Sequence, residues 1–207
     1  MRTIKCPDER MNEILDAAER LFVTKGYEHT TVNDILSSVG IAKGALYYYY
    51  KSKEDVLDGI IKRRGDVMID AARLVAERVD IGAKEKLLFV MLSQKPEGEN
   101  QKQLADELEK NGGGQMFLKS LLDIILRLAP IIGGVIEQGI AEGVFSTPYP
   151  LESAEILLSA AHSMFDNGGF NWTQEETIRK TVAFITVAER VLGAAEGSLL
   201  SLTQLFE

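Results

Sequence analysis

Thr31-Val32-Asn33-Asp34-Ile35-Leu36-Ser37-Ser38-Val39-Gly40-Ile41-Ala42-Lys43-Gly44-Ala45-Leu46-Tyr47-Tyr48-Tyr49-Tyr50 holds two short helical patterns separated by a glycine. Val32, Ile35, Leu36 and Val39 fall at i, i+3, i+4 and i+7, the spacing of one buried helix face. Thr31 is an N-cap residue for that helix, with Asp34 in the N3 place of a capping box. Gly40 ends it. A second helix from about Ala42 to Tyr49 is predicted to turn Leu46 and Tyr50 inward. Four consecutive tyrosines cannot all face the core of a helix that turns about 100° per residue. Tyr47 and Tyr48 are therefore expected outside.

Two short helices joined by a tight glycine-containing turn, the second with polar and aromatic residues outward, form the helix-turn-helix pattern. Its first helix lies across a DNA backbone, where cap hydroxyls and free N–H groups meet phosphate oxygens; Thr30 and Thr31 stand at that end. The second helix enters the major groove by its first turn. There Lys43 can reach guanine O6/N7 or a phosphate, Ala45 can touch a thymine methyl, and Gly44 lets the backbone approach closely. The Tyr47 and Tyr48 hydroxyls can donate to phosphates, and Lys53 adds a further phosphate contact.

On either side the pattern remains helical. Ile14, Leu15, Ala18, Leu21 and Phe22 recur at helical spacing between Asp8 and Lys25. Gly26 is expected in the left-handed conformation of a Schellman stop, with Tyr27 packed back on Phe22. Ser52 caps a fourth helix with Asp55 three residues on, and Val56, Leu57, Ile60 and Ile61 form its apolar face. Helices are predicted near 66–79, 83–94, 101–110, 115–142, 151–168 and 174–196, followed by an irregular tail after Gly197. Pro130 should kink or split the long run 115–142. No strand-like alternation interrupts them, so the fold class is all-α.

Charge is distributed unevenly. The net charge of -8 over 207 residues argues at first against a nucleic-acid binder. Residues 1–66, however, balance eleven basic against eleven acidic side chains, and the acid excess lies wholly beyond them. A small basic face on an acidic body is enough to position phosphates. The single cysteine, Cys6, fits a reducing cytoplasm. No run approaches the roughly 18 apolar residues of a membrane span. Two histidines and one cysteine, widely separated, offer no metal-ligand spacing, and no nucleophile, base and orienting group suggest catalysis or a cofactor. Asp123 and Arg127 read as a solvated ion pair on one helix face.

The run Gly40 to Glu54, with Ala17-Ala18-Glu19-Arg20-Leu21-Phe22, Lys25-Gly26-Tyr27 and Thr30-Thr31-Val32, closely resembles the tetracycline-repressor (TetR) family over residues 9–64. The resemblance implies a three-helix DNA-binding domain (8–66, motif 31–50), a connecting helix, and a helical effector-binding and dimerisation domain (67–207). It puts DNA contacts on Thr30, Thr31, Asn33, Lys43, Gly44, Ala45, Tyr47, Tyr48 and Lys53. Two departures are visible: Ala42 where a capping Ser is frequent, costing about 1 kcal/mol, and Tyr50 where Phe is usual. The resemblance further implies a regulator, most simply a repressor, released from double-stranded operator DNA by a small, mostly apolar effector. Leu87, Met91, Phe117, Leu121 and Ile125 are its candidate lining, closed by His162 and Phe165. Helices near 151–168 and 174–196, apolar on more than one face, are expected to form a homodimer interface. The alternative keeps the DNA-binding dimer but makes residues 67–207 a protein-interaction module without an effector.

Overall fold

The computed structural model describes residues 6–95, 114–166 and 172–206. Among these residues the chain is helical throughout, without a strand. It divides into two compact units: one holds residues up to Asp66 and the stretch ending at Leu121, the other Val67–Lys95 and Leu122 onward.

The first unit is built on α1 (Pro7–Lys25), α2 (Val32–Val39), α3 (Lys43–Tyr49) and the opening turns of α4 (Lys53–Ala76). Its core joins Ile14, Leu15, Ala18 and Phe22 to Ile35, Leu36, Leu46, Tyr50, Val56, Leu57 and Ile60. Each fully buried aliphatic side chain of this kind contributes roughly 1.5–3 kcal/mol. Arg63 ties α4 to α1 through Asp16 (2.8 Å) and Glu19 (2.9 Å).

Gly26 ends α1 differently from a Schellman stop. Its φ of 84° is the positive value that glycine supplies, but its ψ of 149° leaves the left-handed helical region, and its N–H donates to the Phe22 carbonyl. The expected packing of Tyr27 on Phe22 is present, edge-on at 5.0 Å.

The helices expected from Ser52 and near 66–79 are one continuous helix, α4. A lone glycine such as Gly65 costs a helix only about 1 kcal/mol, too little to break it. Next come α5 (Ala83–Leu92) and α6 (Gly114–Ala141). The helix predicted near 101–110 lies outside the described residues. Pro130 does not split α6. Proline removes the bond to the carbonyl four residues earlier, here that of Leu126, on an exposed stretch of the helix where water can satisfy it.

In the second unit, α7 (Pro150–Ala161) runs into a π-helical turn, His162–Asp166, and packs against α8 (Gln174–Leu192). The helix expected to 168 is helical as far as Asp166, beyond which the expectation lies outside the described residues, and the helix expected to 196 ends at Leu192. Thr173 caps α8 with Glu176 in a complete capping box, and Gly193 stops it at φ 61°. The tail is not irregular: Leu200–Phe206 forms a 3-10 helix that packs on α5 and α8. Leu199 and Leu202 enter the apolar core with Leu87, Leu88 and Leu192. Buried Glu189 fastens this turn, accepting from the N–H groups of Gly197 (3.0 Å) and Leu199 (2.8 Å).

A carboxylate spent on two backbone donors cannot be replaced by an amide without turning a donor toward a donor. Glu189→Gln is expected to destabilise the chain by about 1–3 kcal/mol and to speed hydrogen exchange at the Leu199 amide. Calorimetry and exchange mass spectrometry measure both.

Candidate nucleic-acid interface

The site begins with the cap of α2. The Thr31 hydroxyl accepts from Asp34 N–H (3.2 Å), while the Asp34 carboxylate accepts from the Thr31 N–H and hydroxyl, each at 2.8 Å. Lys25, at the end of α1, donates to the same carboxylate at 2.6 Å. The sequence reading found the capping box but missed Lys25, because nine residues of chain separate the pair. The Lys25 hydrogen bond, then those from Thr31, hold the Asp34 carboxyl down at about 2.

At the other end of α2, Gly40 adopts the left-handed conformation (φ 71°, ψ 37°) that turns the chain into α3. Ala42 stands at the N-cap of α3 without a side-chain hydrogen bond, as the departure from Ser implied. Leu46 is wholly buried, and Tyr50 is buried as well. Burial pushes the Tyr50 hydroxyl above its ordinary range. With those two residues inside, Lys43, Gly44 and Ala45 face solvent, as do Tyr47 (44% exposed) and Tyr48 (80%). The Lys43 ammonium lies 5.7 Å from the Tyr47 ring centroid, and Tyr48 meets Tyr49 edge-on at 4.9 Å. Asn33 is exposed on α2. The solvent side of α3 thus carries a cation, two phenols and a stretch of backbone without bulk, and α2 carries an exposed amide.

Two residues assigned to DNA contact sit differently. Thr30 is only 1% exposed, and its hydroxyl donates to the Gly26 carbonyl at 2.8 Å. Adjacent threonines at a helix start divide the work: one caps, the other packs. Lys53 is half-buried, its ammonium donating to the Tyr27 carbonyl (2.8 Å) and lying 4.1 Å from the Tyr27 ring centroid. The Tyr27 hydroxyl is pushed up to about 12, by burial first and then by Glu54, Glu28 and Asp58.

The expected effector lining is only partly assembled. Leu87 is buried in the core of the second unit, and Met91 and Ile125 pack against that core. Phe165 instead meets Phe184 edge-on at 5.8 Å, and His162 opens the π turn. The side chains of Phe117 and Leu121 lie outside the described residues. A groove of about 410 Å³ is lined instead by Arg73, Ala76, Glu77, Pro130, Ile131, Gly134, Val135 and Gln138, which periodicity alone did not single out. Asp123 and Arg127 pair at 3.3 Å, as expected of i, i+4 partners. No helix among the described residues is long and apolar enough to cross a membrane.

The lowered Asp34 carboxyl makes a prediction about acid. A folded value below the unfolded one, about 3.9, means the native state binds fewer protons. The stability it contributes is present above about pH 4 and lost as pH falls through about 2. An NMR titration should find the Asp34 midpoint near 2, and Lys25→Ala should raise it.

Comparison with known proteins agrees with this geometry. The family described as bacterial regulatory proteins, tetR family, matches residues 14–60, and the family described as tetracyclin repressor-like, C-terminal domain, matches residues 98–187. The HTH-type transcriptional repressor KstR2 of Rhodococcus jostii is 30% identical over 149 residues, 70% of this chain and 72% of its own. The fatty acid metabolism regulator protein of Bacillus subtilis is 27% identical over 134 residues, 63% of this chain and 68% of its own. A solved transcriptional regulator from Cytophaga hutchinsonii shares the fold, with a TM-score of 0.68 at 23% identity, covering 90% of this chain and 98% of that one. The chain belongs to the tetR family of bacterial regulatory proteins and is a DNA-binding transcriptional regulator.

Proposed function

We propose that the chain is a repressor that grips a pseudo-palindromic operator as a homodimer and is released by a small, mostly apolar effector. The observation that carries the DNA reading is Gly44. A Cβ built there meets nothing within 4 Å beyond its chain neighbours and its own helix backbone, and its φ lies outside the range that glycine alone favours. Glycine inside a helix costs about 0.5–1 kcal/mol relative to alanine, yet nothing in the protein needs the vacancy. Close approach of a DNA groove accounts for it. Lys43, Ala45, Tyr47 and Tyr48 surround that point, with Thr31 and Asn33 on α2 at the phosphates. The relative from Rhodococcus jostii is named a repressor, which supports the sign of regulation.

Gly44→Ala should therefore raise the melting temperature while weakening operator affinity about tenfold or more. Lys43→Ala should weaken affinity and reduce the slope of log K against log salt by about one unit. Fluorescence anisotropy on a duplex selected from a random library measures both. Undiminished affinity in both variants would remove α3 from the groove.

For the dimer, the supporting feature is apolar side chains of α7 and α8 left in solvent: Ile156 is 62% exposed, and Ile178 (60%) and Val182 (45%) stand one turn apart on α8. A second copy related by a two-fold axis would cover them and would set two recognition helices on half-sites about 34 to 36 Å apart or somewhat wider. Ile178→Asp combined with Val182→Asp should give a folded monomer in sedimentation, with operator affinity lost. A dimer that persists in this variant puts the interface elsewhere.

The effector reading rests on Leu87, Met91 and Ile125 in one apolar core, with Phe117, Leu121, His162 and Phe165 as the remaining proposed lining. Ligand binding to such a site would raise the melting temperature.

A further inference from the structure

Lys53 opens α4 and Tyr27 follows the end of α1, 26 residues earlier in the chain. The Tyr27 carbonyl accepts two hydrogen bonds, from the Thr30 N–H at 3.2 Å and from the Lys53 ammonium at 2.8 Å. A carbonyl oxygen has two lone pairs, so both are used. The same ammonium lies 4.1 Å from the Tyr27 ring centroid, well inside the range of a cation–π contact. Tyr27 is itself buried and braced edge-on by Phe22 at 5.0 Å. The lysine is therefore held by a fixed residue on both its carbonyl and its ring.

From that carbonyl the hydrogen bonds lead directly to the recognition elements. Thr30, whose N–H shares the Tyr27 carbonyl, returns its own hydroxyl to Gly26 at 2.8 Å. The next residue, Thr31, is the N-cap of α2, and its partner Asp34 is held from α1 by Lys25. The turn Gly26–Thr31 is thus fastened to α1 at one side and to the first residue of α4 at the other. To reach a phosphate away from this turn, Lys53 would have to release a charge-assisted hydrogen bond and a ring contact together.

We propose that Lys53 is a positioning residue rather than a phosphate ligand: it pins the first turn of α4 to the Gly26–Thr31 turn, and so sets the N-terminus of α2 and the α2–α3 pair that follows. The proposal rests on the DNA-binding reading of α3 for its effect on affinity, but the pin itself exists without DNA. It gives displacement of the start of α4 a direct route to the cap of α2.

The test uses the full-length chain with Lys53→Met, which keeps the apolar stem and removes the charge. Lys43→Ala serves as the phosphate or base contact control. Affinity for a duplex selected from a random library is measured over a salt series, well below the melting temperature of each variant. Lys53→Met should lose about tenfold at every salt concentration with an unchanged slope, whereas Lys43→Ala should flatten the slope by about one unit. Lys53→Arg, which can keep both the carbonyl bond and the ring contact, should restore most of the loss. A slope flattened by about one unit in Lys53→Met, or an affinity equal to the parent's, overturns the proposal.

A second measurement needs no DNA. Hydrogen exchange at the Thr30 and Asp34 amides should quicken in Lys53→Met, because the turn and the cap lose one of their two fastenings. Unchanged protection at both amides overturns the pin whatever the DNA experiment gives. Should Lys53→Met not fold, Lys53→Gln supplies the same two readouts. If no duplex is recovered with the parent protein, the DNA-binding reading fails while exchange still decides the pin.

Discussion

The burial of Leu46 is the constraint on which the exposed face of α3 depends. A helix of seven residues has too few hydrogen bonds to recover its nucleation cost in water, so α3 exists only where tertiary contacts hold it. Leu46 and Tyr50 supply those contacts to the core formed by α1, α2 and α4. Once they are inside, the helical period leaves Lys43, Gly44, Tyr47 and Tyr48 no choice but the outside. The missing cap at Ala42 makes the dependence greater, because nothing local steadies the first turn of α3. The exposed side chains of α3 are thus presented by a helix whose rotational setting is fixed from the far side.

The same economy explains the start of α2. Its cap uses Thr31 and Asp34, and the carboxylate is shared with Lys25. The Thr31 hydroxyl gives its one proton to Asp34 and keeps one lone pair for a further donor, whereas Thr30 is withdrawn from solvent and closes the preceding turn. The charges of this region work mainly within the protein. Lys25, Lys53 and Arg63 each satisfy an acceptor on another element. Lys43 is the cation at the front of α3, with the ring of Tyr47 beside it. Of the acidic side chains in residues 1–66, Glu13, Asp16, Glu19 and Asp34 each pair with a basic side chain of the same unit.

Much of this first unit was legible in the sequence, for an identifiable reason. The caps, the stripe Val32–Ile35–Leu36–Val39 and the inward setting of Leu46 and Tyr50 are local, and helical period and cap chemistry act over four residues or so. What was not legible depends on longer separations. Periodicity could not tell which of two neighbouring threonines is buried, and it could not see Lys53 meeting a carbonyl 26 residues away. It divided α4 near residue 66, although the packing of Ile60 and Ile69 on either side carries the helix through. In the second unit the limitation is greater. Leu87, Met91 and Ile125 are apolar residues of a core, and their sequence pattern would be the same whether they line a cavity or fill one.

That ambiguity has a physical counterpart in how the second unit closes its core. Leu199 and Leu202 reach into the cluster that contains Leu87 and Leu88, and Glu189 holds them there through two backbone N–H groups. Apolar volume that a guest would need is here occupied by the chain's own C-terminal segment. Close-packed interiors have few voids larger than a water molecule, so an effector proposed for this cluster, rather than for the groove beside Arg73 and Gln138, would require side chains to move aside. Binding would then carry a conformational change by necessity, because the cavity and the displaced residues cannot coexist. Such exclusion is the differential interaction that coupling between two sites demands: a ligand can shift the protein only by preferring one arrangement of this core to the other.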